Sequence, residues 1–527
     1  MSLRTIPELV AHGLSHFADR PAVVDGEITL TYAELAAGVE RVSAAYLAVG
    51  VQPGDRVALW VPNRYEFILA LLGAENIGAA VVPLNTRYRG LEARGILERS
   101  RASVLVAANG FLGADYLTML DEAGDGSGKG VISGLEHLHT VVDLGEDTHR
   151  SAVSWSDFLE GAAKVDASQV AELAAKVEPD TICDILFTSG TTGLPKGVMS
   201  AQRQTLGVAD VWARGAHLDE HDRYAIVNPF FHGFGYKAGV IASLVAGSAI
   251  YPVPVFDVVG LMELIQRERI TVLPGAPTIF TTMINHPRRE EFDLSSLRFS
   301  IAGAATVPES LFEQMRDVLG FEDVAQAYGL TECVVATMSR PNEDPRHIAE
   351  TTGPAVPGLE IRIDDGSGGD APVGVEGEIW IRGDNVMLGY FEDPVATAEA
   401  IDADGWFHSG DVGRLDEHGC LKITDRIKDM FTVGGFNVYP AEVENVLSAH
   451  PDVQEAAVIG VDDERMGSVG KAYIVPRPGA QLTAEQLTAY ARERLANFKV
   501  PTSFVITESL PRNASGKVLK RDLREES

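Results

Sequence analysis

Thr188-Ser189-Gly190-Thr191-Thr192-Gly193-Leu194-Pro195-Lys196-Gly197 follows directly on the apolar run Ile182 to Phe187. The small or hydroxylated residues Thr188 to Gly193 leave backbone N–H groups uncovered and add hydroxyl donors, and Lys196 supplies a point charge, so the composition suits a phosphate. The order is not that of a Walker loop, because Lys196 is followed by Gly197 and Pro195 biases Leu194 away from helix. Ile182 to Phe187 reads as a short buried strand. The loop is then expected at a strand's carboxyl end, where open α/β sheets take their ligands. By composition alone the same residues would also serve as a flexible turn.

A chain of 527 residues is too long for one hydrophobic core and should divide into a large domain and at least one smaller one. With 45% hydrophobic and 23% charged residues it reads as globular. Its most apolar stretches are interrupted by Glu75, Asn76, Pro252 and Pro254 before they reach spanning length, so no membrane span is expected. Neither end carries a signal-peptide, peroxisomal or lipidation pattern, and the expected location is the cytoplasm. Cys183, Cys333 and Cys420 lie far apart, which gives neither a disulfide framework nor zinc-ligand spacing; reduced, mostly buried thiols are expected. A formal net charge of −31 repels nucleic acid and anionic lipid. Anionic substrates must therefore be met by local cations beside glycine-rich loops.

Helical and strand patterns alternate through the first half. A helix is predicted from about Tyr32 to Val49, capped by Thr31 and closed by Gly50, then a strand at Arg56 to Val61, a helix from Arg64 to Glu75 and a strand at Ala79 to Val82. This argues for a parallel α/β sheet. From Gly358 to Tyr390 short strands with turn residues suggest a β-rich subdomain. After Arg426-Ile427-Lys428-Asp429 the texture changes again: Pro440 at a helix start, strands near Val453 to Gly460 and Lys471 to Val475, and a helix opening at Thr483 make a small α+β domain.

Four further segments carry candidate chemistry: Tyr328-Gly329-Leu330-Thr331-Glu332; Trp406 to Asp411 with Arg426; Val433-Gly434-Gly435-Phe436 through Pro440; and Pro511 to Lys517. Each has a plainer reading on its own, as a core tyrosine with a capping threonine, a turn aspartate, a hairpin turn and a terminal basic helix. In order, and with the Thr188 to Gly197 loop, they resemble the adenylate-forming superfamily of acyl-CoA synthetases, peptide-synthetase adenylation domains and beetle luciferases, and within it a bacterial acyl-CoA synthetase of the fatty-acid or steroid-ring-acid type. The resemblance extends from about Thr31 to Leu523.

It implies an α/β fold: a large N-terminal domain, residues 1–427, of two α/β subdomains plus a β-rich subdomain, and a small mobile α+β C-terminal domain, residues 428–527, hinged at Lys428. It implies ATP/AMP, Mg²⁺ and coenzyme A as cofactors. Thr188, Ser189, Gly190, Thr191, Thr192, Gly193 and Lys196 would hold phosphates. Tyr328 would face the adenine, Thr331 the α-phosphate and Glu332 the Mg²⁺, while Asp411 and Arg426 would hold the ribose. Lys517 would bring a cation to the reacting carboxylate and α-phosphate, and Gly434 and Gly435 would line the pantetheine tunnel.

Within the family, Phe231 is followed by His232 and not by the aspartate that pairs an amino-acid substrate's ammonium. This favours a carboxylic acid, with His232 as a gating residue and, since the chain stops shortly after Lys517, free CoA as acceptor. Phe231, Gly233, Tyr236, Lys237, Gly303, Ala304 and Gly329 are the expected acyl pocket. Its leanness, with Gly235, Gly239 and Ala302 nearby, favours a bulky or polycyclic acid. Gln202 stands where many relatives carry a histidine, which leaves open an enzyme efficient only in transfer from acyl-AMP to CoA. A non-catalytic nucleotide or acyl sensor is the other alternative, and homodimerisation is left open.

Overall fold

The computed structural model describes the chain apart from residues 1–2, 125–130, 147, 189–194, 303–306, 341–342, 427–428, 430, 434–435, 439, 464–465, 496, 513–517 and 526–527. Four larger sheets organise it. The first has eight strands, in the order Gly389–Tyr390, Gly197–Ala201, Ile182–Phe187, Ala80–Pro83, Arg56–Trp60, Val104–Ala107, Thr140–Asp143 and Val153–Ser154. From Ile182–Phe187 outward to Val153–Ser154 every pairing is parallel. Arg56–Trp60, Ala80–Pro83 and Val104–Ala107 are apolar along almost their whole length, as strands covered on both faces must be.

A second sheet joins Arg223–Ile226, Ala249–Pro252 and Pro21–Asp25 in parallel and adds Ile28–Thr31 antiparallel. Parallel bridges carry it on through Val272 to Phe299. Helix Tyr32–Ala48 packs on helix Tyr65–Glu75 and beside Pro21–Asp25 and Ile28–Thr31, and its start is the expected one: Thr31 Oγ1 accepts from the Glu34 N–H while the Glu34 side chain returns to the Thr31 N–H. Such reciprocal caps contribute about 1 kcal/mol. Gly50 then turns the chain at φ +94°.

The β-rich region is a four-stranded antiparallel sheet, Leu359–Asp364, Gly377–Gly383, Phe407–Leu415 and Leu421–Arg426. The C-terminal sheet pairs Val453–Asp463 with Gly467–Pro476 and adds Ser503–Ile506 in parallel. Helices Pro440–Ser448 and Ala484–Arg492 belong to this part, the latter capped by Thr483 as expected. It has its own apolar clusters around Val443, Leu447 and Val458 and around Ile459 and Tyr473. No helix among the described residues is long and apolar enough to cross a membrane.

Candidate active site

Ile182–Phe187 and Gly197–Ala201 pair antiparallel, with Phe187 opposite Gly197. The intervening loop is therefore a hairpin at the edge of the parallel array, closed by the Thr188 N–H donating to Lys196 O at 2.9 Å. The Thr188 hydroxyl also turns onto that carbonyl, at 3.4 Å. A strand follows Lys196, in keeping with the expectation that this lysine opens no helix. Ser189, Gly190, Thr191, Thr192 and Gly193 lie outside the described residues.

Lys196 Nζ sits 4.8 Å from the ring centroid of Tyr390. The Tyr390 hydroxyl donates to Glu332 Oε1 at 2.8 Å. Burial and the Glu332 carboxylate push the Tyr390 phenol well above its ordinary pKa, so it stays a neutral donor. Two backbone bonds hold the arrangement: Phe391 N–H to Gly197 O at 2.7 Å and Met387 N–H to Glu332 O at 2.8 Å. Lys196 and Glu332, the candidate phosphate and metal residues, thus share one tyrosine. Sequence reading missed Tyr390; its only local signal is the Gly389-Tyr390 strand start, because its chemical partners lie far away in the chain.

Thr331 and Glu332 form the turn between the paired strands Ala327–Leu330 and Cys333–Met338. Gly329 is required there, since a Cβ would stand 1.9 Å from Val334 O. Tyr328, almost fully buried, donates its hydroxyl to Asp411 Oδ2 at 2.6 Å. The Asp411 backbone pairs opposite Arg426 across the antiparallel strands. Tyr328, Asp411 and the Arg426 backbone position are therefore brought together, while Tyr390 links Glu332 to Lys196. Lys428, Gly434, Gly435 and Lys517 lie outside the described residues, as do Gly303 and Ala304.

The acyl side departs from expectation. His232 is solvent-accessible yet crowded by protein. That desolvation lowers its pKa from 6.5. Phe234 N–H donates to its Nδ1 at 3.3 Å, which leaves Nε2 to carry the proton of the neutral ring. Phe231 beside it is half-buried.

Tyr236 and Lys237 line no recess. The widened helical turns of Phe234–Ile241 direct both side chains into the core, where they are 0% and 1% exposed. Lys237 Nζ is 3.1 Å from Asp184 Oδ2 and donates to Ser200 Oγ at 2.7 Å. Thr205 adds a 2.7 Å bond to the same aspartate oxygen. Tyr236 donates to Glu75 Oε1, and burial pushes the Glu75 carboxyl well above its ordinary pKa.

The glycines do not hollow out a pocket either. A Cβ on Gly233 would meet Val334 Cγ2 at 2.9 Å, on Gly235 Pro229 O at 2.2 Å, and on Gly239 Ile226 Cδ1 at 3.1 Å. Neighbours fill the volume the missing side chains release, so these residues carry no inference about acyl size. Gln202 is engaged in structural hydrogen bonds. Fully buried, its Oε1 accepts from Ile6 N–H at 2.7 Å and its Nε2 donates to Glu75 O at 3.3 Å, tying the first helix to the end of Tyr65–Glu75. The ground for impaired adenylation disappears with that placement.

Residues 10–391 match the AMP-binding enzyme family and residues 442–517 the AMP-binding enzyme C-terminal domain. The chain is 48% identical over 523 residues to a 3-[(3aS,4S,7aS)-7a-methyl-1,5-dioxo-octahydro-1H-inden-4-yl]propanoyl:CoA ligase of Rhodococcus jostii, covering 99% of this chain and 98% of that one. It is 47% identical over 525 residues to the ligase of the same name from Mycobacterium tuberculosis, covering 99% of each. Among solved structures it is similar to the anthranilate CoA ligase AuaEII in complex with anthranoyl-AMP, with TM-score 0.88, 26% identity and coverage of 100% and 98%. ATP-bound MatB from Rhodopseudomonas palustris gives 0.83, 28%, 99% and 98%. With both family segments matched and two ligases 47% and 48% identical over nearly the whole chain, the chain belongs to the AMP-binding enzyme family and is an acyl-CoA ligase.

Proposed function

We propose that the protein activates a fused-ring alkanoic acid, of the indane-propanoate kind, as its acyl-adenylate with ATP and Mg²⁺ and then passes the acyl group to CoA in the cytoplasm. The observation that carries the nucleotide half is the Tyr328–Asp411 hydrogen bond, which joins the two segments expected to hold adenosine. The acid is inferred from the two ring-acid ligases at 47% and 48% identity, since the packed glycines say nothing about it.

A carboxylate is a poor electrophile because its charge repels a thiolate; adenylation supplies a leaving group. Asp411, braced by Tyr328, offers a carboxylate to the ribose diol, a charge-assisted contact. Lys196, held over Tyr390, meets phosphate charge, and the Thr188–Gly193 backbone would complete the cradle. Glu332 is a hard oxygen ligand with one oxygen already fixed by Tyr390, which suits Mg²⁺. The ion supplies charge neutralisation for the phosphates when bound. Neutral His232 is assigned to the acyl side. Lys517 is proposed as the cation of adenylation, and Gly434 and Gly435 as the tunnel for the CoA arm after residues 428–527 turn about Lys428.

The test is acid-dependent pyrophosphate release together with a CoA-ester mass, across fused-ring propanoic acids, aromatic acids and linear fatty acids. Highest kcat/KM for a fused-ring acid is expected. A preference for linear acids would overturn the substrate assignment, and pyrophosphate release without any CoA ester would overturn the second step.

A further inference from the structure

Away from the nucleotide site, Glu343, His347 and Cys420 bring a carboxylate oxygen, a ring nitrogen and a thiol sulfur within 4.8 Å of one another. Glu343 and His347 stand one helical turn apart at the start of Pro345–Glu350, and Cys420 immediately precedes strand Leu421–Arg426. Backbone bonds fix the two elements to each other: Thr352 N–H donates to Leu421 O at 2.7 Å, and Leu421 N–H to Gly353 O at 2.9 Å. Chain spacing conceals the cluster, because its cysteine comes from a distant hairpin.

The surroundings already have the form of a metal site's support. His347 Nδ1 lies 2.6 Å from Glu343 Oε1, and the opposite nitrogen, Nε2, lies 3.0 Å from Asp416 Oδ2. The second oxygen of Glu343 accepts from Arg340 N–H at 2.9 Å. The second oxygen of Asp416 accepts from the N–H groups of His418 and Cys420, each at 2.8 Å. A metal-bound histidine characteristically gives its remaining N–H to a carboxylate, which fixes the tautomer and the ring plane. Asp416 occupies that place.

We infer that Glu343, His347 and Cys420 form a zinc site, completed by water as the fourth ligand and oriented by Asp416. One nitrogen, one sulfur and one carboxylate suit zinc, whereas magnesium and calcium take oxygen alone. The ion ties Pro345–Glu350 to the turn that follows Phe407–Leu415, the strand bearing Asp411. It is separate from the Mg²⁺ proposed for the reaction. In the absence of metal, His347 bridges the two carboxylates itself.

The experiment uses metal-stripped full-length protein in excess Mg²⁺ without nucleotide. It is titrated with Zn²⁺ by calorimetry and with Co²⁺ by absorption, and thermal unfolding is followed with and without Zn²⁺. One Zn²⁺ per chain, a melting temperature raised by zinc and a thiolate-to-cobalt charge-transfer band are expected. Cys420→Ser and His347→Ala each remove the band, whereas Cys183→Ser keeps it. Asp416→Asn, which spares all three ligands, weakens zinc by about 10–100-fold. Wild-type protein that takes up no zinc and shows no cobalt band, or uptake that survives both Cys420→Ser and His347→Ala, overturns the assignment.

Discussion

The hydroxyl of Tyr328 donates to Oδ2 of Asp411 at 2.6 Å, so the tyrosine proposed to face the adenine positions the aspartate proposed to hold the ribose. Tyr328→Phe keeps the ring and removes this donor. Hydrogen bonds to charged groups are worth about 1.5–3 kcal/mol, so KM for ATP should rise about tenfold or more while transfer from supplied acyl-AMP changes less. Steady-state ATP titration checks it; an unchanged KM would mean that Asp411 is held adequately by other contacts.

Tyr390→Phe preserves the ring beneath Lys196 but releases Glu332 Oε1. The Mg²⁺ concentration giving half-maximal adenylation should increase several-fold, with the fold intact by circular dichroism. Tyr390→Leu, which also removes the cation–π contact of about 0.5–2 kcal/mol, should be worse.

Gln202→Ala leaves the buried Ile6 N–H without its 2.7 Å acceptor. A loss of about 1–3 kcal/mol of stability is expected, read as a lower denaturation midpoint. The ratio of adenylation to thioester-forming rates should stay within about twofold of wild type. A selective fall in adenylation would return Gln202 to the phosphate site.

Desolvation lowers the His232 pKa below 6.5, so the unfolded chain takes up this proton more readily than the folded one. Stability from this group is therefore present above pH 6.5 and is lost as pH falls through the lower folded value. Comparison of wild type with His232→Gln by denaturant titration should show the wild type losing ground only below pH 6.5. An acid limb of activity attributable to this residue should likewise lie below 6.5.

Local signals were legible and directional ones were not. The Ile182–Phe187 strand and the caps at Thr31 and Thr483 were readable because a short strand or a capping box is written within a few residues. Tyr236 and Lys237 were placed in the pocket by the resemblance of their segment to the family. The wide turns of Phe234–Ile241 point them elsewhere. Gln202 was assigned by its offset from the loop, and an offset fixes a position in the chain but not the direction of a side chain. The glycines advertised volume that Val334, Pro229 and Ile226 occupy. Tyr390 had no signal of its own, since its meaning lies in Glu332.

The buried Asp184–Lys237 pair bears on how the sheet is aligned. Ile182–Phe187 is covered on both faces in its middle, so the usual inside–outside alternation has little power to choose its register. Asp184 is the strand's one ionisable carboxylate, and it meets Lys237 and Thr205, with Ser200 accepting from Lys237, only in the observed alignment. A slip by one residue would set Cys183 or Ile185 against an ammonium group with no counter-charge, a penalty of several kcal/mol. The pair thus works as an index mark for strand alignment, and because Thr188 lies four residues further on, it also sets where the candidate phosphate loop leaves the sheet.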